Sequence, residues 1–136
     1  MTWATIRDGF KARLATIDSL TAHDVMPDSL PDKDVAVVLP GEPLFEPQSF
    51  DGLISVNVRV VVRCFRGRGT DAQDALDAYL WPSGAKSVVA AVYADATLDG
   101  KVDDMQFTFV GAYGAVQDKP GAFQADVYFR CTATAE

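Results

Sequence analysis

The sequence predicts an α+β domain in which helices cover one face of an antiparallel sheet of about four to five strands. Three observations predict this class: a helical apolar stripe opens the chain, a long alternating strand lies at its centre, and two more strand candidates close it. Of the 136 residues, 49% are hydrophobic and 23% are charged, as expected for a globular chain with one core. The predicted order is α-β-β-β-α-α-β-β in a single domain spanning residues 1–136.

The first predicted helix spans residues 3–17, because its apolar side chains recur at spacings of three and four. These side chains are Trp3, Ile6, Phe10, Leu14 and Ile17. Two short strand candidates follow at 21–25 and 35–39. Proline-rich sequence surrounds both of them, and it favours extended loops between the elements.

A long proline-rich loop is predicted at 40–52, because proline is excluded from helices and from central strands. It contains three large apolar residues that a solvated loop does not need: Leu44, Phe45 and Phe50. Two interpretations are open. These side chains either fold back on the core or await a partner.

The clearest element is the strand at 53–65, in which valines alternate with polar and basic residues. A helix is predicted from about 70 to 80 and a second from about 85 to 94, with Pro82 between them. On the first of these helices, Asp71, Asp74 and Asp77 share one face, which is typical of a solvated surface.

Two strands, at 102–111 and 122–133, close the chain. Simple alternation puts Met105, Phe107 and Phe109 together on one face of the first strand. In the second strand it directs Tyr128 and its polar neighbours away from the core.

The net charge of −7 is unevenly distributed. All of it arises between Asp18 and Asp51, where eight acids, including Asp28, Asp32 and Asp34, face a single lysine. The stretch that follows has no acid, and its four bases are Arg59, Arg63, Arg66 and Arg68. This bipolar pattern fits head-to-tail packing of identical copies, or simply two solvated surfaces of opposite sign. Nucleic-acid binding would favour a broad basic face instead.

The sequence contains no motif that is typical of a catalytic or metal-binding site. The chain has one histidine, His23, and two cysteines, Cys64 and Cys131, that are far apart in sequence and on the apolar faces of their strands. We therefore expect reduced, buried thiols, no catalytic residue, no cofactor and no metal site. With no apolar run near 20 residues and no leader-like N-terminus, we expect a soluble, intracellular protein.

The chain as a whole resembles the tail terminator, or tail completion, proteins of bacteriophages with long non-contractile tails, especially those of actinobacterial hosts. The similarity is strongest where the helix Asp71–Leu80 runs into Ser83–Val88. It also covers most of the remaining chain: Ile6–Leu14 leading into Val25–Asp28, Val35–Pro40, the strand around Val56–Arg63, Thr97–Gly100, Tyr113–Gly114 and the final strand. The acidity of 18–51 is a departure that the family does not explain.

The resemblance implies a structural virion protein rather than an enzyme. Its subunits would form a hexameric ring at the neck that caps the tail tube, stops its growth and joins the head–tail connector or stopper protein. Assembly would take place in the host cytoplasm, and DNA would pass through the lumen without specific binding. No membrane partner is implied.

Together, the charge pattern and the resemblance give a candidate subunit or ring interface. Its residues are Arg59, Arg63, Arg66, Arg68, Leu44, Phe45, Phe50, Asp28, Asp32 and Asp34. On this interpretation, reversing Arg63 and Arg66 to glutamate disrupts the ring and leaves the monomer folded.

Two alternative functions remain open. One is another neck or head–tail joining protein, which would bind a different neighbouring ring. The other is a small intracellular α+β enzyme or ligand-binding domain, which would need a pocket with convergent polar groups.

Overall fold

The computed structural model describes residues 2–24, 33–47, 52–117 and 119–134. These residues form three helices and five strands in the predicted order, which confirms the α+β class. The elements are α1 (Trp3–Leu14), β1 (Thr21–His23), β2 (Val35–Pro47), β3 (Leu53–Phe65), α2 (Gly69–Leu80), α3 (Val88–Tyr93), β4 (Asp104–Ala115) and β5 (Ala122–Thr134).

The five strands form one sheet in the order β1-β2-β3-β5-β4. Its centre is the antiparallel pair β3–β5, which is in register from Leu53 opposite Thr134 to Phe65 opposite Ala122. The predicted antiparallel sheet needs one correction, because β1 pairs with β2 in parallel and the sheet is mixed. In this pairing Thr21 lies opposite Val35 and His23 lies opposite Val37.

All three helices pack on one face of the sheet, as predicted. Their buried side chains join alternate residues of the strands in a single apolar core. The members at its centre are Ile6, Phe10 and Leu14 of α1, Leu76 and Tyr79 of α2, Val88 and Val92 of α3, and Val58, Val60, Val127 and Phe129 of the sheet.

The helices differ from their predicted bounds mainly at their ends. The helix α1 stops at Leu14, and Ile17 is buried in the turn that follows. The helix α3 begins at Val88, because the Ser87 hydroxyl accepts a hydrogen bond from the Ala90 amide and caps it. No helix within the described residues is long and apolar enough to span a membrane.

The predicted loop at 40–52 is wrong over its first half, because β2 continues to Pro47. The pairing shifts between Pro40 and Phe45, where β2 bulges against β3. Gly41 allows a close approach to β3, since a Cβ there would lie 2.6 Å from Asn57 Cβ. Prolines are tolerated here because, within the described parts of the chain, β1 pairs with Val35–Val37 alone and no strand pairs with the same edge of β2 beyond Val37.

A bulge in β4 overturns the predicted alternation of its aromatic residues. Phe107 lies opposite Phe129, but Phe109 lies opposite Tyr128, so two residues of β4 match one residue of β5. The extra residue is Thr108, whose hydroxyl donates to the Tyr128 carbonyl oxygen at 2.9 Å. Phe107 packs against the core, whereas Phe109 lies on the opposite face and is 55% exposed.

We expect the substitution Phe10→Ala to lower the free energy of unfolding by about 3–5 kcal/mol, because Phe10 is fully buried and packs 5.5 Å from the Phe129 ring. The control is Phe45→Ala, at a side chain that is 56% exposed. Denaturant unfolding of the two variants measures the difference. Equal losses of stability would contradict the position of the core.

Candidate functional site

The face of the sheet opposite the helices carries polar and aromatic side chains, and we call it the open face. Its polar and aromatic residues include Glu46 of β2, Asn57, Arg59 and Arg63 of β3, Gln124, Asp126, Tyr128 and Arg130 of β5, and Asp104 and Phe109 of β4. Arg59, Tyr128 and Phe109 form one row across three strands, and Asn57 and Arg130 form the next. Three valines on the same side of the sheet, Val35, Val37 and Val61, are buried.

An aromatic pair occupies the middle of the open face. The rings of Phe109 and Tyr128 stack with their centroids 4.3 Å apart and their planes 15° from parallel. Gly111 makes room for the pair, because a Cβ there would lie 3.2 Å from Phe109 Cε2. The result is a flat apolar platform on an otherwise polar surface, and its outer ring is more than half exposed.

Among the described residues, one of the three arginines around this platform, Arg59, contacts an acid. Arg59 Nη1 lies 3.5 Å from Asp126 Oδ2, and Arg59 Nε has no acceptor among the described residues. Arg63 donates from Nε and Nη2 to the neutral Gln124 Oε1, at 3.1 and 2.9 Å. Arg130 Nε donates to Asn57 Oδ1 at 3.4 Å.

A depression of about 310 Å³ lies at the end of the open face nearest the bulge of β2. Glu42, Glu46 and Arg130 line it together with both residues of the platform, Phe109 and Tyr128. The platform is therefore bordered by acids as well as by arginines.

Two of the predicted interface residues, Asp34 and Arg66, meet inside the subunit. The Arg66 guanidinium donates to both carboxylate oxygens of Asp34, at 2.5 and 2.8 Å. The Tyr79 hydroxyl donates to Asp34 Oδ2 at 2.6 Å and lies 2.8 Å from Ser19 Oγ. This network, which we call the Asp34 cluster, joins β2, β3, α2 and the segment after α1.

The Asp34 cluster sets the protonation of its members. Burial alone would raise the pKa of Asp34, but the hydrogen bonds from Arg66 and Tyr79 and the Arg66 charge hold this pKa below its usual value of 3.8. Burial and the bond to Asp34 raise the pKa of Tyr79, so its hydroxyl remains a donor. The carboxylate therefore stays ionised at neutral pH.

Arg66 is thus unsuitable as a test of an interface between subunits. A glutamate in its place would face the Asp34 carboxylate, and an unpaired buried charge is strongly destabilising. The expectation that the Arg63 and Arg66 double reversal leaves the monomer folded does not fit this geometry. Of these two residues, Arg63 is the one that can test an interface.

The remaining predicted interface residues are dispersed. Arg68 is exposed at the start of α2. Leu44 packs partly against the core, and Phe45 lines a mainly apolar cavity of about 250 Å³ beside Trp3 and Ile6. Three further residues, Asp28, Asp32 and Phe50, lie outside the described residues.

Sequence reasoning missed a second surface feature at the end of α2. Trp81 is 68% exposed there, and Asp77 lies one turn before it. The Tyr113 hydroxyl of β4 donates to Asp77 Oδ1 at 2.7 Å, and Asp74 is exposed on the same helix. We call Asp74, Asp77, Trp81 and Tyr113 the α2 patch. In the sequence, this patch is marked by the spacing of the acids on α2, which on its own indicates only a solvated helix face.

The groups with potential for covalent or metal chemistry are buried or dispersed. Cys64 and Cys131 are buried free thiols, as predicted, and burial is the main cause that raises the pKa of each to about 12. No group of three or more His, Cys, Asp or Glu side chains in the described parts of the chain is placed to hold a metal ion.

Comparison of the chain with models of known protein families and with curated proteins gives no match.

We expect Asp34→Asn to cost about 1–3 kcal/mol of unfolding free energy near neutral pH, because the buried site loses its charge-assisted hydrogen bonds, while solvent screens the Arg66 side chain, which is 35% exposed. Since the folded pKa of Asp34 is lowered, its stabilisation is present above about pH 4 and is lost as the pH falls through the folded value. The variant should therefore show a smaller loss of stability on acidification than the wild type. Chemical unfolding from pH 7 down to pH 2.5 measures both effects.

The control for this substitution is Asp18→Asn, which changes an exposed acid in the segment next to Ser19. Its cost should stay below about 0.5 kcal/mol. If the Asp34 variant had the same stability as this control, with the same dependence on pH, the Asp34 cluster would not stabilise the fold.

Proposed function

We propose that the chain is a structural subunit of a homo-oligomeric ring, with the role of a tail terminator at the neck of a phage with a long non-contractile tail. The observation that supports this most is the open face. The helices cover one face of the sheet, and the other carries an exposed aromatic platform with arginines beside it. Such a surface is suited to association with another protein.

The composition of the open face matches the centre of a protein interface. Aromatic residues and arginine are enriched at such centres and account for much of the binding energy. A stacked pair loses little side-chain entropy on binding, because the two rings already hold each other in place. Phe109 and Tyr128 are therefore the anchors that we assign to the contact.

The kind of assembly follows from the sequence resemblance. In that role the subunits close into a hexameric ring on the end of the finished tail tube. The ring stops growth of the tube and connects it to the head–tail connector. The open face would serve the contact between subunits, and DNA would pass through the lumen without specific binding.

The test is negative-stain microscopy and light scattering of the purified protein, alone and with tail tubes. We expect open rings of about six subunits, free in solution or seated on tube ends. A protein that stays monomeric in both conditions would contradict the proposal. If the protein bound the head connector in preference to tube ends, it would belong at another position in the neck.

A matched pair of variants tests the surface itself. Phe109 and Phe45 are 55% and 56% exposed, but they lie on opposite faces of the sheet. Because Phe109→Ser removes one anchor, we expect it to raise the protein concentration needed for ring formation at least about tenfold. We expect Phe45→Ser to assemble as the wild type does. The opposite ranking would move the interface to the face that carries the helices.

A further inference from the structure

We infer that the Tyr93 hydroxyl protects the free edge of β4 against pairing with the same edge of a second copy of this chain. This edge is distinct from the open face, so the role of Tyr93 does not depend on the proposed ring contact. Its basis is the order of the strands, the composition of β4 and one hydrogen bond between α3 and β4.

The two edges of the sheet differ in how readily they can accept another strand. On one side, β1 has only three residues, and the part of β2 beyond it contains Pro40, Pro43 and Pro47. Proline has no backbone N–H to donate, so this edge is a poor template for pairing. On the other side, β4 is the last strand among the described residues, has 12 residues and contains no proline. A long edge of this kind is a template for another chain.

The composition of β4 favours such pairing. Its only charged residue is Asp104, at its first position. The segment from Met105 to Val110 is uncharged and contains two phenylalanines and a threonine. This composition is typical of segments that pair between chains. A second copy supplies the same segment, so the β4 edge of that copy is the strand against which protection is needed.

Two irregularities break this edge into short pieces. The strand bulges at Thr108, and its pairing with β5 shifts again between Gly111 and Gly114, where Ala112 has a φ of 53°. Bulges twist an edge and hinder the approach of another chain. The longest piece with regular pairing is therefore Asp104–Phe107.

Tyr93 covers this regular piece. Its hydroxyl accepts a hydrogen bond from the Phe107 backbone N–H. In an antiparallel pair, alternate residues direct their N–H groups away from the partner strand. The Phe107 N–H is bound by a side chain of α3 and not by β5, so it lies on the free side of β4. The Tyr93 side chain, which is 43% exposed, thus lies where another strand would accept this hydrogen bond.

The packing of α3 holds Tyr93 at the edge. Val88 and Val92 of this helix are buried in the core. The Arg13 side chain of α1 donates from Nε to the Ala91 carbonyl oxygen at 3.0 Å. The helix that carries Tyr93 therefore cannot move away from β4 without disturbing the core.

Hydrogen exchange in dilute protein tests the hydrogen bond itself. Tyr93→Phe removes only the hydroxyl, and the Phe107 amide should then exchange with water about fivefold faster, the effect of losing one hydrogen bond. The matched control is Tyr113→Phe. Tyr113 is also 43% exposed, but its hydroxyl donates to the Asp77 side chain, so its removal should leave exchange at Phe107 unchanged.

Infrared spectroscopy of concentrated protein tests the consequence. Strands that pair between chains give a band of their own, and a ring contact through the open face adds no such pairing. We expect the band in Tyr93→Phe at about fivefold lower protein concentration than in the wild type, for the same reason. Tyr93→Ala should show it more strongly, because the ring is also lost. Adding Gln106→Lys, at an exposed position of β4, should suppress it in both variants, since lysine on an edge disfavours pairing.

Three results would show that Tyr93 does not have this role. The Phe107 amide could exchange equally fast in Tyr93→Phe and in the wild type, or Tyr113→Phe could show the same band between chains. In the third, the band would follow a loss of stability in denaturant unfolding and would persist with Gln106→Lys, as expected if the core were exposed. A wild type that forms no ring, alone or on tail tubes, contradicts the proposed function and leaves the role of Tyr93 unaffected.

Discussion

The carboxylate of Asp34, which is buried just before β2, binds Arg66 and Tyr79, and the Tyr79 hydroxyl also contacts Ser19 after α1. Burying a charge is unfavourable, and it is tolerated here because Arg66 binds the carboxylate through two bonds while Tyr79 supplies a third. Tyr79 belongs to α2 and Arg66 follows β3, so the cluster fixes how α2 crosses the sheet. The position of α2 in turn determines where its exposed end, at Trp81, faces solvent.

Because all three helices pack on one face, the sheet has two chemically different sides. The core side is closed by apolar packing. The other side holds the platform of Phe109 and Tyr128 among arginines, and its shape depends on the bulge at Thr108. A domain with two unlike sides is suited to repeated front-to-back association, which is the property that ring assembly requires.

The sequence predicted the elements well where a single periodicity applies. Residues 53–65 alternate without interruption, and β3 has those bounds. The prediction from the sequence was wrong at 40–47. Proline argues against a strand only where the backbone N–H that it lacks would have had a hydrogen-bond acceptor. The bulge at Thr108 has no glycine or proline to signal it. The pairing of Asp34 with Arg66 was missed because a count of charges along the chain cannot distinguish contacts within a subunit from contacts between subunits.

The central claim is that identical copies associate through the open face. A cryo-electron microscopy reconstruction of the assembled protein on tail-tube ends tests it most directly. We expect a closed ring in which the Phe109–Tyr128 pair of each subunit is covered by the next subunit. A ring that leaves this pair exposed to solvent, or a two-fold dimer that joins like surfaces, would contradict the account.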